Sequence, residues 1–270
     1  MTEEFIPRKR DVGPSEVFSS FKRSRPSLSL AELLVVLSST SYQPSVSIIN
    51  DPLSISIRAM LMCELAIKDR LFVNSEKEVE CLEGHASLDP LHDEMYSKIK
   101  NSKKRPVDKW LMLLNGETFS LKTDKYSIKK VRKRVREMLI SKNILEKPKQ
   151  KRFEAIQNIF SKAQPQRMGK TSTKNAKTEI IKETSDFLLN NAPYVEEDRL
   201  YFSAFICALF FCDLMEDVLM TLSPASSDQA LRRAQELVER FKTGMLANTS
   251  RKEWSVSNVL KEYLKLATKL

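Results

Sequence analysis

Glycine is scarce in this chain of 270 residues, which has five. A protein of strands and tight turns usually needs many more, so the shortage argues against an all-β fold and for a mainly helical one. Histidine is scarcer still: His85 and His92 are the two present. Neither lies beside a persuasive nucleophile, which leaves acid–base and triad chemistry without its usual carrier. Together with Cys81 they show no recognised zinc spacing, and they fall in an acidic stretch expected at the surface. Cys63, Cys81, Cys207 and Cys212 lie on or near apolar stretches rather than in a small secreted framework, and they read as reduced thiols. The N-terminus does not read as a secretory leader.

Long hydrophobic runs are also missing. The stretch Leu200 to Cys212 is followed at once by Asp213, Glu216 and Asp217, and it falls short of the roughly 20 apolar residues that cross a bilayer. It predicts a central buried helix, so any membrane contact has to be peripheral. Met168-Gly-Lys-Thr171 imitates the end of a nucleotide-binding loop, but Gln164 stands where the first glycine is required and no apolar strand precedes it. No cofactor is implied.

What the chain has is positive charge, gathered in one place. Residues 97–182 hold 25 Lys and Arg against 7 Asp and Glu, a surplus of 18 in a protein whose net charge is +10, so the remainder is net acidic by 8. Residues 1–27 mix Pro7, Pro14 and Pro26 with serines and the clusters Arg8-Lys9-Arg10 and Lys22-Arg23, which predicts a flexible basic tail. Residues 28–270 are expected to form one helical domain with a short β-hairpin. Its first helix is announced by Leu28-Ser-Leu-Ala-Glu-Leu33, where Ser29 and Glu32 make a capping box.

Helices are predicted at 54–68, near 90–100, at 107–114 with Asn115-Gly116 as the C-cap, and at 127–142, with a short strand at 70–73. Residues 146–167 suit a hairpin or a further helix, and 164–177 an exposed polar loop. Helices follow at 178–189, 196–222, 228–241 and from 252 onward.

Within the basic helix, Ile128, Val131, Val135, Met138 and Leu139 share one face at 100° per residue. Lys129 and Arg132 border that stripe. Their stems can lie on the core while their heads emerge, so they should be better ordered than Lys130 or Arg134. Two fixed cations one turn apart make half of a phosphate site, and Arg58, near the start of the second helix, can supply the rest.

Five segments in order resemble the Golgi phosphoprotein 3 family: Leu28 to Leu34, Ile57-Arg-Ala-Met-Leu-Met-Cys-Glu-Leu-Ala-Ile-Lys-Asp-Arg-Leu71, Leu91 to Met95, Trp110-Leu-Met-Leu-Leu-Asn-Gly-Glu-Thr-Phe119, and Ile128-Lys-Lys-Val-Arg-Lys-Arg134. The likeness spans about residues 28–220 and implies a mainly helical adaptor that binds phosphatidylinositol 4-phosphate on the cytoplasmic face of Golgi membranes, with a cytoplasmic pool. It also implies links between the cytosolic tails of glycosyltransferases and the COPI coat. The family's headgroup residues correspond to Arg58, Lys129 and Arg132.

The family's membrane-entering Trp corresponds to Ile49, an aliphatic side chain that can enter the interface without anchoring there as an indole does. Its apolar hairpin corresponds to a more polar segment whose Phe153, Ile156, Ile159 and Phe160 are the insertion candidates. Arg8, Lys9 and Arg10 resemble the arginine-rich segment that engages coat and tails. Self-association is left open.

Two other readings compete. A winged-helix nucleic-acid module would present Lys129 to Arg136 broadly to a groove, with Lys130 and Arg134 as important as Arg132. A coat-linked scaffold without a lipid pocket would bind proteins alone.

Overall fold

The computed structural model describes residues 28–41, 51–83, 87–116, 124–146, 168–189, 194–244 and 249–267. Among them ten α-helices and one two-stranded antiparallel sheet enclose a continuous apolar core that runs from Leu30 to Leu264. The fold is mainly α. His85, Ile49, Phe153, Ile156, Ile159, Phe160 and the Arg8-Lys9-Arg10 cluster lie outside the described residues.

Helix α1 (Leu30–Ser41) begins with the predicted box: the Glu32 amide donates to Ser29 Oγ at 3.2 Å and the Ser29 amide to Glu32 Oε2 at 3.0 Å. Helix α2 (Pro52–Ile67) is capped by Asp51, whose carboxylate accepts from the Ser54 amide at 3.2 Å, and Pro52 occupies the first turn, where no amide donor is needed. Nearly every side chain of α2 is buried. Strand β1 (Leu71–Val73) pairs with β2 (Val79–Cys81), a strand not expected in this polar stretch. Their turn is closed by Asn74, whose Oδ1 accepts from the Glu78 amide, while Lys77 takes a left-handed φ of 63°.

Helices α3 (Pro90–Lys100) and α4 (Val107–Asn115) follow, and α4 stops at Gly116, whose φ of 80° is natural to glycine. The basic helix α5 spans Val131–Ser141, four residues shorter at its start than expected. The polar segment read as a loop is instead the beginning of α6 (Met168–Leu189): Ser172 Oγ and Thr173 Oγ1 donate to the carbonyls of Asn143 and Ile144 beyond the end of α5. The helix expected over 196–222 is broken. Helix α7 (Glu196–Phe211) ends at a turn with Asp213 at φ 55°, and a single turn, α8 (Glu216–Leu219), precedes α9 (Pro224–Thr243) and α10 (Arg251–Ala267).

Helix α2 packs against α10, α7, α1, α3, α4 and α5, so it shares with α7 the central position expected for the latter alone. None of the described helices is long and apolar enough to cross a membrane. Ser56 Oγ donates to the Pro52 carbonyl, so the 2.6 Å contact with Tyr263 has the tyrosine hydroxyl as donor; this bond ties α10 to α2 in the core. All four cysteines are free. Burial pushes the Cys81 and Cys212 thiols up to about 11 and about 12, which keeps them protonated and weakly nucleophilic at neutral pH.

His92 was expected at the surface, yet it is 2 % exposed. Its ring joins α2 to α3: Nδ1 lies 2.5 Å from Asp89 Oδ2 and Nε2 lies 3.1 Å from Glu64 Oε2. Burial alone would lower the imidazole's pKa, but its bonds to the two carboxylates outweigh burial and push it up to about 10. A folded pKa above the unfolded value of 6.5 stabilises the fold fully below about 6.5, progressively less as pH rises, and not at all beyond about 10. The melting temperature should therefore fall across that window in the wild type, and His92→Gln should flatten the fall in a thermal melt series.

A cationic cleft between two helices

Arg58 sits in the second turn of α2, 6 % exposed, with its guanidinium turned toward the end of α4 and the approach to α5. Nη1 donates to the Ser54 carbonyl at 2.7 Å and to Asn115 Oδ1 at 3.1 Å; Nη2 donates to the Ile128 carbonyl at 2.5 Å. One planar fork thus fastens α2, α4 and the segment leading into α5. The Ile128 amide donates in turn to the Leu114 carbonyl at 3.0 Å, so Ile128 is held on both sides in non-helical backbone. This is why the basic helix starts late: the chain turns at Lys129 and Lys130, and Lys130 caps α5 with φ 52° and ψ 33°. For a residue with a Cβ such a conformation costs about 1 kcal/mol.

From Val131 onward the expected stripe is inward. Ile128, Val131, Val135 and Leu139 are buried and Met138 packs against the core. The far end of α5 is fixed by Lys142, whose Nζ lies 2.7 Å from the buried carboxylate of Glu32 on α1. Between these moorings the basic side chains divide by flank. Arg134 is paired with Glu94 of α3, so it does not project loosely as expected. Lys133 lies 3.7 Å from Glu137 in an exposed pair.

On the opposite flank an open cleft of about 680 Å³ is lined by Arg58, Arg132, Lys130, Lys133 and Arg136, together with Asn115 and Gly116 at the end of α4. No carboxylate among the described residues lines it. The structure therefore brings Arg58 and Arg132 into one cavity from two helices, while Lys129 lies exposed in the turn before α5 and is not among the lining residues. Lys130 was expected to be a less ordered residue on the far side of the helix and instead lines the cleft, and Arg136 was not singled out from the sequence. Arg136 was legible in principle, one turn beyond Arg132, whereas Lys130 depends on where the helix begins.

A second, smaller cleft of about 280 Å³ is lined by Glu32, Glu64, Lys68, Asp89, His92 and Lys142, and its three carboxylates are engaged by His92 and Lys142 in the pairs already described. In the cationic cleft Lys133 lies 3.7 Å from Glu137, but no described carboxylate lines the cavity itself.

The protein is thus a mainly helical one with a basic notch between two helices, an arrangement whose charge and donors suit an anion. The family model described as Golgi phosphoprotein 3 (GPP34) matches residues 30–259, and the chain is a member of that family. Among its relatives, vacuolar protein sorting-associated protein 74 of Eremothecium gossypii is 26 % identical over 267 aligned residues, covering 88 % of this chain and 76 % of that protein. The protein of the same name from Schizosaccharomyces pombe is 25 % identical over 237, covering 82 % and 68 %.

Arg58→Lys keeps the charge but loses the fork, and it should destabilise the fold by about 3 kcal/mol in urea unfolding, since hydrogen bonds from charged groups contribute about 1.5–3 kcal/mol each. Lys130→Gly should instead leave stability unchanged or raise it by up to about 1 kcal/mol in the same assay, because glycine relieves the left-handed strain.

Proposed function

We propose that the protein is a Golgi-associated peripheral adaptor whose cationic cleft recognises phosphatidylinositol 4-phosphate on the cytoplasmic face. The observation that carries this reading is the meeting of Arg58 and Arg132, from separate helices, in a cavity that no described carboxylate lines. Membership in the Golgi phosphoprotein 3 family and relatives named for vacuolar protein sorting support a trafficking role. In this reading Arg132 grips the phosphate, Arg58 shapes the floor and supplies positive potential, and Lys129, next in the chain to Lys130, joins them from the turn. Ile49, Phe153, Ile156 and Phe160 meet the bilayer around the headgroup. Arg8, Lys9 and Arg10 engage the COPI coat and glycosyltransferase tails, and the protein acts as a linker, not an enzyme.

The pairing of Arg134 with Glu94 weighs against the nucleic-acid alternative, since a groove-reading helix needs that side chain as much as its neighbours. Local phosphate contacts reinforced by surface charge suit reversible, salt-sensitive binding.

Liposome flotation distinguishes the readings. Arg132→Ala should weaken uptake by vesicles containing phosphatidylinositol 4-phosphate about 10- to 100-fold, the worth of one charge-assisted contact, and Arg134→Ala should change it less than about twofold. Equal losses would reduce the site to diffuse attraction, and equal uptake by vesicles without the phosphoinositide would remove it.

A further inference from the structure

The cleft is not uniform from side to side. Lys130, Arg132, Lys133 and Arg136 line it from α5 and its cap, whereas the end of α4 contributes Asn115 and Gly116, neither of them charged. The two helices also meet the cavity with opposite polarity. Helix α5 enters at its start, where backbone amides carry partial positive charge, and α4 enters at its last turn, where carbonyls carry partial negative charge. A phosphate is therefore drawn to the α5 side, and a neutral hydrogen-bonding group suits the α4 side. At about 680 Å³ the cavity lies within the range of about 300–1,000 Å³ typical of small-molecule sites, so it has room for the group that carries the phosphate as well.

Asn115 is oriented for that neutral group. Its Oδ1 accepts from Arg58 Nη1 at 3.1 Å, and Arg58 is buried and bonded also to the Ser54 and Ile128 carbonyls. A guanidinium only donates, so its neighbour must be the oxygen of the carboxamide and not the amino group. The amide is planar, which turns its two N–H donors away from Arg58. The side chain is half-buried, at the rim of the core.

We infer that Asn115 is a specificity-determining contact: its amide donates to a hydroxyl beside the phosphate, so that the cleft prefers a phosphate monoester carried on a polyol ring to one without neighbouring hydroxyls. This rests on the phosphoinositide reading and keeps its single monoester. A site that hydrogen-bonds a hydroxyl rejects the analogue lacking it, because the protein donor then loses its partner. The same chemistry is offered by a lipid headgroup and by a free inositol phosphate.

The test compares uptake by vesicles containing phosphatidylinositol 4-phosphate with uptake by vesicles containing phosphatidic acid, whose phosphate monoester has no ring, total surface charge being equalised with phosphatidylserine. The wild type should bind the phosphoinositide vesicles about tenfold more tightly, the worth of about one hydrogen bond, and Asn115→Ala should cut that ratio to about twofold or less. Arg132→Ala, which removes the grip on the phosphate common to both lipids, should lower both uptakes and leave their ratio near tenfold. Because the readout is a ratio within one sample, partial unfolding of a variant does not imitate the effect. If Asn115 serves the fold alone by seating Arg58, Asn115→Ala lowers both uptakes in proportion and the ratio stands; that result overturns the inference.

Calorimetric titration with inositol 4-phosphate and with inorganic phosphate forms the second arm. A preference for the ring that Asn115→Ala removes supports the contact: seen with vesicles, it makes the lipid the source, and confined to the soluble pair, it makes free inositol phosphate the source. No wild-type preference in either arm overturns it. In that event, stronger uptake by phosphoinositide vesicles than by phosphatidylserine vesicles still leaves the underlying reading standing, and loss of that difference too removes both.

Discussion

The guanidinium of Arg58 is the joint on which the cleft depends. A buried cation is costly unless its donors find acceptors, and the fold offers the two terminal nitrogens the carbonyls of Ser54 and Ile128 and the amide oxygen of Asn115. Each acceptor lies on a different segment, so the cost of burial is met only when α2, the end of α4 and the entry to α5 are all in register. Bonds to these neutral oxygens hold the group without cancelling its charge. Structural and electrostatic roles are therefore combined in one side chain, which separates Arg58 from Arg132, a half-buried residue on the facing wall.

Holding Ile128 out of the helix also directs the next three residues. Lys129 and Lys130 form the turn, Lys130 becomes the cap, and Val131 begins the apolar stripe that seats α5 on the core. A helix continuing back to Ser127 would have carried these lysines around its cylinder. The left-handed residue at the cap instead aims one of them into the cavity. Local strain is common where a chain must present a group in a fixed direction, and the core contacts of α5 are what sustain it.

Much of this is legible in the sequence because it rests on local chemistry: the capping box at Ser29 and Glu32, the glycine that ends α4, the spacing that buries Val131, Val135 and Leu139. The turns are harder. Few glycines suggest few tight turns, yet the left-handed positions at Asp69, Lys77, Lys130, Asn143 and Asp213 are filled by polar residues with a Cβ. Besides Lys130, two of these positions have visible effects: nothing in the sequence announces the β1–β2 turn at Lys77, and the helix expected over 196–222 runs through Asp213. Long-range pairing is not legible. His92 looks like a surface residue until Glu64, 28 positions earlier, is placed against it, and Arg134 looks unattached until α3 brings Glu94 to its side. Arg58 and Arg132 can be foreseen as neighbours, but the company they keep at Lys130 requires the actual start of the helix.

The neutralised flank at Glu94 has a mechanical meaning. Glu94 offsets Arg134 on one flank of α5, while no described carboxylate lines the cavity on the other, so the positive charge of the helix weighs toward one edge. Beside a negatively charged plane, an uneven charge of this kind favours approach with the open side forward. A glutamate on a neighbouring helix thus shapes the field of the basic helix from a distance.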